Sequence, residues 1–440
     1  NRVIMRRTWL TFLLLLMPLF GLMAQVLFPI QKSANKRYFV DQNNMPFLYN
    51  ADTGWYMFWK LSEKEAGEYI RLRKAQRFNV IQTMLVIPNS VNVYGLKAFK
   101  DNNDFTTLNE AYFDHVDRVL AEAEKENMLI AIAPLWIGCC LDGWGGDGLY
   151  LEKNSLENIR FLGEFIGRRF AAHQNVIWIL GGDNDPGVHR ICVEVLAKAI
   201  KKEAPHQMQT YHASSTHSST DIWMNVDWLD FSMVYTYFRG FNKAWNCVQQ
   251  DVYEVCYAEY KKAAGMPFIL GESTYEGEHG DWGNDLQVRK QAWWAVLSGA
   301  AGHAYGSPNW KMIDGKWKDI MKYPGANSLR HFYNFLSARK WYELIPDFDN
   351  NLAIDGAAPY ATNDYAVSAV SFDKKWAVMY IPSKRTIRVN LKILKGNRIS
   401  VRWYNPRTGN YKLISSDQSP CILEYTSPDE NDWVLLFETK

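Results

Sequence analysis

The sequence predicts a protein of the α/β class, with a (β/α)8 TIM barrel followed by a small C-terminal antiparallel β-sandwich. From about residue 45 to 310, short apolar runs alternate with amphipathic stretches, which is typical of β-α units around a parallel sheet. From about residue 346, period-2 alternation between turn-forming residues takes over, which indicates antiparallel strands. A chain of 440 residues can hold one barrel and one smaller domain.

Residues 1–24 have the pattern of a secretory signal peptide. Met5 is followed by two arginines and then by an apolar run over residues 10–23. At about 14 residues this run is shorter than the roughly 20 residues that span a bilayer. We therefore expect cleavage near Ala24, a secreted or periplasmic protein, and no stable membrane anchor afterwards.

Residues 30–345 are expected to form the barrel. Its predicted strands are short apolar runs that end at turn-forming or polar residues, namely 47–50, 79–86, 129–135, 176–180, 208–212, 231–235, 268–270 and 302–305. The predicted helices cover 62–76, 110–127, 155–173, 188–203, 254–264 and 287–298. The first of them opens with a capping box, Ser62 with Glu65 three residues later. The active site of such a barrel lies at the carboxyl ends of its strands.

Residues 346–440 are expected to form the accessory β-sandwich, after a last helical stretch at 328–336. Its predicted strands alternate apolar and polar residues and are separated by turn signals: 365–371, 376–381, 387–391, 399–404, 410–414 and 433–437. This pattern has no helical period, so the two halves of the chain differ in fold class.

The composition excludes several classes of protein. Lysine and arginine number 49 against 47 aspartates and glutamates, so the net charge of +2 gives no basic footprint for nucleic acid. A hydrophobic share of 48% with 22% charged residues excludes disorder. The aromatic share of 15% is high. Such rings can stack on sugar faces or simply fill a core, and the composition alone leaves both open.

Two carboxylates stand at the ends of predicted strands 4 and 7. Asp183 follows a buried strand and two glycines, and Glu272 follows a second strand and one glycine. Strands 4 and 7 lie on opposite sides of a barrel mouth, so these side chains are expected to face each other. Paired carboxylates are the groups that glycoside hydrolysis needs, one to protonate the leaving oxygen and one to meet the oxocarbenium ion.

Other strand ends carry polar and aromatic side chains suited to binding a sugar. An aromatic ring can stack on the C–H face of a sugar while polar groups fix its orientation. Each of them alone is equally compatible with a core position. These candidate substrate-binding residues are Asp52, Trp55, Gln82, Trp136, Tyr211, His212, Tyr235, Tyr237, His303 and Tyr305.

No metal site or cofactor is expected. Asp183 begins a calcium-loop-like stretch, but Pro186 and Gly187 break the spacing that a calcium-binding loop requires. His212 and His217 lack a third ligand at metal spacing. Neither a nucleophile elbow nor a phosphate-binding loop occurs in the sequence.

Several of these stretches together resemble a known family. They are Asp-Thr-Gly-Trp at 52–55, Phe-Asn-Val-Ile-Gln at 78–82, Trp-Ile-Leu-Gly-Gly-Asp at 178–183, Tyr-His at 211–212, Gly-Glu at 271–272 and Gly-His-Ala-Tyr-Gly at 302–306. Over about residues 30 to 345 the chain resembles the apiosidase-like (β/α)8 glycoside hydrolases, which include glycoside hydrolase family 140. The following sandwich resembles the collagen-binding-type module that accompanies such barrels, a name that does not establish a function.

The resemblance implies a secreted retaining glycoside hydrolase that acts on a plant cell-wall glycan. Its substrate would be the apiose-linked side chains of the pectin rhamnogalacturonan II. The family's acid/base residue corresponds to Asp183 and its nucleophile to Glu272. The chain departs from the family at strand 6, where Tyr235-Thr236-Tyr237 replaces a glutamine-serine-glycine stretch. That departure bears on which sugar is bound.

Two alternatives remain at the level of sequence. A cellulase-like glycosidase of the family 5 type shares the strand 4 and strand 7 placement, although such enzymes carry Asn-Glu where this chain has Gly182-Asp183. A non-catalytic carbohydrate-binding barrel is the other alternative, and the presence of both carboxylates favours an enzyme over it. All three readings predict an oligosaccharide or polysaccharide as the partner.

Overall fold

The computed structural model describes residues 25–87, 89–101, 103–138, 148–241, 249–262 and 265–440. The predicted signal peptide, residues 1–24, lies outside the described residues. Within them, none of the helices has both the length and the apolar character required to cross a bilayer. The (β/α)8 barrel and the C-terminal sandwich predicted from the sequence are both confirmed.

A small antiparallel sheet precedes the barrel and closes its amino-terminal end. Its strands are β1 (Gln31–Lys32), β2 (Phe39–Val40) and β3 (Pro46–Phe47). Phe39 is fully buried in the apolar cluster inside the barrel, with its ring centroid 5.2 Å from that of Phe231. This sheet therefore plugs the amino-terminal end of the barrel.

Eight parallel strands form the nearly closed barrel. They are β4 (Tyr49–Thr53), β5 (Val80–Met84), β6 (Leu129–Ala133), β7 (Val176–Gly181), β8 (Gln209–His212), β9 (Ser232–Tyr235), β10 (Phe268–Glu272) and β11 (Gly302–Tyr305). Hydrogen-bonded neighbours follow the order β8-β7-β6-β5-β4-β11-β10-β9. Each predicted strand has its counterpart, but β4 begins two residues after the predicted start and includes Asp52 and Thr53.

Helices surround the barrel. They are α1 (Met57–Lys60), α2 (Glu63–Ala75), α3 (Glu110–Lys125), α4 (Gly148–Lys153), α5 (Leu156–Phe170), α6 (Arg190–Glu203), α7 (Ser219–Ile222), α8 (Val252–Lys261), α9 (Asp285–Leu297), α10 (Trp317–Ile320) and α11 (Pro324–Ser337). The capping box at the start of α2 is present, since Ser62 and Glu65 satisfy each other's backbone N–H groups.

Alternation along each strand decides which side chains enter the barrel. Tyr49 and Ala51 of β4 belong to the apolar cluster inside the barrel, so their neighbours Asn50 and Asp52 face the helices. On β11 the inward residue is Ala304. This parity separates the predicted site residues into two groups with different environments.

The seam between β8 and β9 is joined by side chains. The Ser219 hydroxyl accepts a hydrogen bond from the Met233 backbone N–H at 2.8 Å and donates one to the Tyr211 carbonyl at 2.6 Å. The Thr210 hydroxyl donates to the Phe231 carbonyl at 2.7 Å. These bonds satisfy buried backbone groups where the regular ladder is interrupted.

The C-terminal sandwich has two antiparallel sheets. One has the order β12-β14-β15-β20-β17-β18 and the other β13-β16-β19. Their strands are β12 (Leu344–Pro346), β13 (Ala353–Asp355), β14 (Val367–Ser371), β15 (Trp376–Ile381), β16 (Thr386–Asn390), β17 (Ile399–Tyr404), β18 (Tyr411–Gln418), β19 (Ile422–Thr426) and β20 (Trp433–Thr439).

Barrel and sandwich share one apolar cluster. Trp293 of α9 stacks on Tyr380 of β15 with a centroid distance of 5.9 Å. A buried ion pair joins the domains at the same place, because Arg289 of α9 donates to both oxygens of Asp432 at 2.8 and 3.1 Å. The sandwich is therefore packed onto α9 and α11 rather than tethered by a linker.

Candidate active site

The backbone after β7 turns sharply and carries Asp183 to the barrel mouth. Gly181, Gly182 and Asp183 all have positive φ angles, of 82°, 122° and 54°. A Cβ on Gly181 would lie 2.6 Å from the Tyr211 ring, and one on Gly182 would lie 2.3 Å from the Trp136 ring. Both positions therefore require glycine, for the backbone angle and for the close approach of a ring. Aspartate is among the residues that tolerate the left-handed region.

A β-bulge directs Glu272 into the same mouth. The register between β10 and β9 slips between Leu270 and Glu272, so Gly271 is an extra residue in its strand. A Cβ on Gly271 would lie 1.9 Å from the Met233 side chain, which occupies the barrel interior. The bulge lets Glu272 point inward although strict alternation from Ile269 would turn it outward.

The two carboxylates meet around His212 of β8. One oxygen of Asp183, one of Glu272 and one ring nitrogen of His212 all lie within 4.8 Å of one another. His212 Nε2 donates to Glu272 Oε2 at 2.9 Å. Its Nδ1 lies 3.2 Å from the Asp183 backbone N–H and 3.1 Å from the Ala213 carbonyl. Nδ1 can accept a hydrogen bond from the Asp183 N–H when it carries no proton, and it can donate one to the Ala213 carbonyl when it is protonated.

Burial and charge shift the pKa values of this cluster. Desolvation and the negative charge of Glu272 raise the pKa of Asp183 to about 7, although His212 and hydrogen bonds from Trp136 and Tyr235 act in the opposite direction. Burial alone would lower the pKa of His212, but its hydrogen bond to Glu272 and the charges of both carboxylates raise it. Asp183 can therefore hold a proton near neutral pH.

A small cavity of about 100 Å³ opens above this cluster. It is walled mainly by aromatic side chains, with carboxylates at its floor and side. Of the predicted residues, Asp183, Glu272, Trp55, Trp136 and Tyr237 line it. Trp55 and Trp136 lie with centroids 4.7 Å apart, and the Trp136 indole N–H donates to Asp183 Oδ2 at 3.3 Å.

Three further predicted residues lie beneath the cavity, inside the barrel. His212 holds Glu272, as described. The Tyr235 ring lies 4.8 Å from that of His212, and its hydroxyl oxygen lies 2.7 Å from that of Tyr237. The Gln82 amide donates to the Gly271 carbonyl at 2.8 Å, next to the bulge. These side chains support the site rather than line it.

The remaining four predicted residues face the helices and do not line the cavity. Asp52 is fully buried against Tyr69 and Arg73 of α2, with Arg73 Nε at 2.5 Å. The reason is strand parity, since each of the four neighbours an inward residue. Tyr211 donates to the Asn184 carbonyl at 2.7 Å, the His303 ring packs 5.1 Å from that of Phe332, and Tyr305 donates to Glu276 at 2.7 Å.

Five residues that line the cavity were not predicted from the sequence: Met84, Tyr275, Glu278, His279 and Trp310. Met84 ends β5, and the others lie on the loops after β10 and β11. The available signal was the Tyr-Glu-Gly-Glu-His stretch at 275–279, which directly follows a strand that ends in Glu272. The loops that follow barrel strands build the active-site face together with the strand ends.

The Asp183, His212 and Glu272 cluster is also the one group of side chains in the described part of the chain with donor atoms spaced for a metal ion. Its donor set, one imidazole nitrogen and two carboxylate oxygens, would suit a divalent transition metal. Binding would require His212 Nε2 to lose its proton and its hydrogen bond to Glu272. The absence of a metal therefore stays a prediction.

Family models match both halves of the chain. The model described as the apiosidase-like catalytic domain matches residues 33–343. A second model, the collagen-binding domain of a collagenase, matches residues 350–438. Comparison with curated proteins finds no match.

Two solved structures share the fold over nearly the whole chain, and a third shares part of it. A glycoside hydrolase is 23% identical with a TM-score of 0.83, covering 93% of this chain and 97% of its own. A glycoside hydrolase family 5 protein from Bacteroides vulgatus ATCC 8482 has the same identity and TM-score, covering 93% of each chain. An exo-β-1,4-mannosidase from Opitutaceae bacterium strain TAV5 is 12% identical with a TM-score of 0.52, covering 72% of this chain and 64% of that one. At these identities the likeness is one of fold.

Proposed function

The chain belongs to the apiosidase-like family of glycoside hydrolases, and from this premise we propose that it is a retaining enzyme with Asp183 as acid/base and Glu272 as nucleophile. Its proposed substrate is the apiosyl linkage in rhamnogalacturonan II side chains. The pattern of residues 1–24 supports secretion, and a secreted enzyme would have access to such a plant cell-wall glycan.

The spacing of the two carboxylates is the observation that carries the retaining mechanism. Oxygens of Asp183 and Glu272 lie within 4.8 Å of each other. Retaining glycosidases hold their carboxyl groups about 5 to 5.5 Å apart, whereas inverting enzymes need roughly 6.5 to 9.5 Å to admit a water. The short spacing supports direct attack by Glu272 on the anomeric carbon.

The protonation states support the same assignment. With a pKa of about 7, Asp183 can give its proton to the leaving oxygen while Glu272 forms a bond to the anomeric carbon and the glycosidic bond breaks. Once Glu272 is esterified its negative charge is gone, so the pKa of Asp183 falls. Asp183 then takes a proton from water, the hydroxyl attacks the anomeric carbon, and Glu272 leaves as a carboxylate.

The size of the cavity supports a single sugar ring at the reacting position. Trp55, Trp136 and Trp310 give its walls apolar faces for C–H groups. Tyr237 adds a hydroxyl to the wall at the place where the chain departs from the family pattern. Membership of the family favours apiose as the sugar, whereas the Tyr237 side chain in the cavity wall is the feature that would favour another sugar.

Product analysis on a panel of pectic oligosaccharides, with apiosyl-linked side chains included, tests this proposal. We expect the release of an apiose-terminated product. Proton NMR should show that the anomer formed first keeps the anomeric configuration of the substrate. Asp183→Asn and Glu272→Gln should each lose nearly all turnover. Release of the inverted anomer would overturn the retaining mechanism. Cleavage only of glycans that lack apiosyl linkages would overturn the proposed substrate.

A further inference from the structure

A third carboxylate, that of Glu278, lines the cavity and has no part in the proposed mechanism. We infer that Glu278 is a substrate-binding residue that accepts hydrogen bonds from the hydroxyls of the sugar at the reacting position and restricts that position to neutral sugars. This inference rests on the proposed function and adds a specificity-determining residue to it.

The Glu278 carboxylate is held in place from one side. Its Oε1 accepts the indole N–H of Trp310 at 3.0 Å. Trp310 is itself 7% exposed and packs edge-on to Tyr56, with centroids 5.1 Å apart. Among the described residues no other hydrogen bond to the carboxylate is formed, so Oε2 is left for a ligand. A carboxylate oxygen accepts hydroxyl donors strongly because it is charged.

The loop that carries Glu278 is fixed by close backbone approaches. A Cβ on Gly283 would lie 1.7 Å from the Glu278 carbonyl oxygen, and one on Gly306 would lie 2.1 Å from the Tyr275 ring. Glu276 anchors the same loop, because it accepts from the Gly325 backbone N–H at 2.7 Å at the start of α11. Glu278 is therefore preorganised, as a specificity residue needs to be.

The charges around the cavity argue against a carboxylated sugar. Asp183, Glu272 and Glu278 line it, and no lysine or arginine does so in the described part of the chain. Burial lowers the pKa of His279, which favours its neutral form. The Lys311 ammonium lies 4.7 Å from the Trp310 ring centroid but does not line the cavity. A uronic acid would meet like charges, and the described lining holds no lysine or arginine to compensate them.

Hydrolysis of the pectic panel in H₂¹⁸O identifies the sugar that occupied the cavity, since the label enters at its anomeric carbon. We expect the labelled sugar, found by mass spectrometry, to carry no carboxylate. Label on a uronic acid would overturn the inference and leave the proposed mechanism intact. If no panel glycan is cleaved, the proposed function fails and the inference fails with it.

The variant Glu278→Gln keeps the size of the side chain and an acceptor for Trp310 but removes the charge. We expect kcat/KM on the cleaved glycan to fall at least about tenfold, mostly through KM, with an unchanged melting temperature. Glu157→Gln, on the exposed surface of α5, is the matched control and should leave kcat/KM unchanged.

Trp310→Phe gives a second, independent variant, because it removes the indole N–H and keeps a ring. We expect a smaller fall in kcat/KM, and less-than-additive losses in the double variant, since the indole N–H of Trp310 acts through Glu278 while the ring stays in the cavity wall. A Glu278→Gln enzyme within twofold of the parent, or additive losses in the double variant, would overturn the role of Glu278.

Discussion

Asp183 is subject to opposing influences that set when it can act as an acid. Burial and the charge of Glu272 hold its proton on, while Trp136 and Tyr235 stabilise the anion by hydrogen bonds. The pKa of about 7 is the balance of the two. Any change that removes a donor to Asp183 should therefore raise this pKa, and any change that removes the neighbouring charge should lower it.

The pH profile should report this balance directly. We predict that kcat/KM falls as the pH rises through about 7, because Asp183 then loses the proton that the leaving group needs. Trp136→Phe removes one donor to the anion, so its basic limb should move to higher pH. A basic limb that stays in place or moves down in this variant would contradict the assignment.

Stability should also depend on Asp183. Its pKa is about 7 when folded and about 3.9 when unfolded, so the native state loses stability as the pH rises from about 4 to 7. We predict that Asp183→Asn is more stable than the parent at pH 8 and nearly equal at pH 4, measured by urea denaturation.

Asp185 provides the control of opposite sign. Its pKa is lowered, since hydrogen bonds from His217 and Ser214 outweigh its partial burial. Its contribution is present above the unfolded pKa and lost in acid, so Asp185→Asn should be less stable than the parent at pH 8. Equal pH dependence in both variants would show that the charge at position 183 is not the cause.

The placement of both carboxylates at the barrel mouth was predictable from the sequence, whereas the orientation of several other strand-end side chains was not. Asp183 and Glu272 follow buried strands, so their height in the barrel was predictable. Asp52 and Tyr305 also stand at strand ends, but strand parity turns them to the helices, because the inward positions next to them belong to Ala51 and Ala304. Glu278 lies on a loop, where no period constrains the side chain.

At the scale of the element, the strand count and order were predictable, and the irregularities were not. Most barrel strands are short runs rich in apolar residues between polar or turn-forming boundaries, which the pattern of residues reveals. The bulge at Gly271 depends on contact with Met233 of the neighbouring strand. Such a contact is tertiary, so no local signal could distinguish this glycine from an ordinary strand end.

The hydrogen bonds of Ser219 at the seam between β8 and β9 predict that α7 contributes to the stability of the barrel. Ser219→Ala would leave the Met233 N–H and the Tyr211 carbonyl without their side-chain partner, in a fully buried place. We predict a loss of about 1 to 3 kcal/mol in the free energy of unfolding, measured by denaturant titration. Ser416→Ala, at an exposed position of β18, should change it by less than about 0.5 kcal/mol. Equal effects would mean that the seam does not depend on Ser219.

At the scale of the whole molecule, the barrel and the sandwich should unfold together. They share one apolar cluster, and the Arg289–Asp432 pair inside it is 4% and 1% exposed. We predict a single calorimetric transition whose van't Hoff and calorimetric enthalpies agree. Two resolved transitions would show that the interface does not couple the domains.

Removing one partner of that pair should be costly. Arg289→Ala leaves Asp432 with Arg407 and Tyr380 as partners, so we predict a loss near the lower end of the roughly 3 to 5 kcal/mol typical of broken buried pairs. Arg398→Ala, in the exposed pair with Asp417, should lose no more than about 1 kcal/mol. A comparable loss of stability in both variants would show that the buried pair at the domain interface contributes no more than an exposed pair.

Helix α11 touches both the pocket loop and the sandwich. Its first turn receives the Glu276 carboxylate, and farther along Phe335 packs 4.7 Å from Tyr404 while the His331 carbonyl accepts from the Tyr404 hydroxyl at 2.8 Å. The sandwich thus helps to hold the helix on which the loop of Glu278 is anchored. Exchange of the sandwich between homologous enzymes would therefore also affect the position of the loop that carries Glu278. The catalytic constants of such a chimera would depend on how well the foreign module fits one helix.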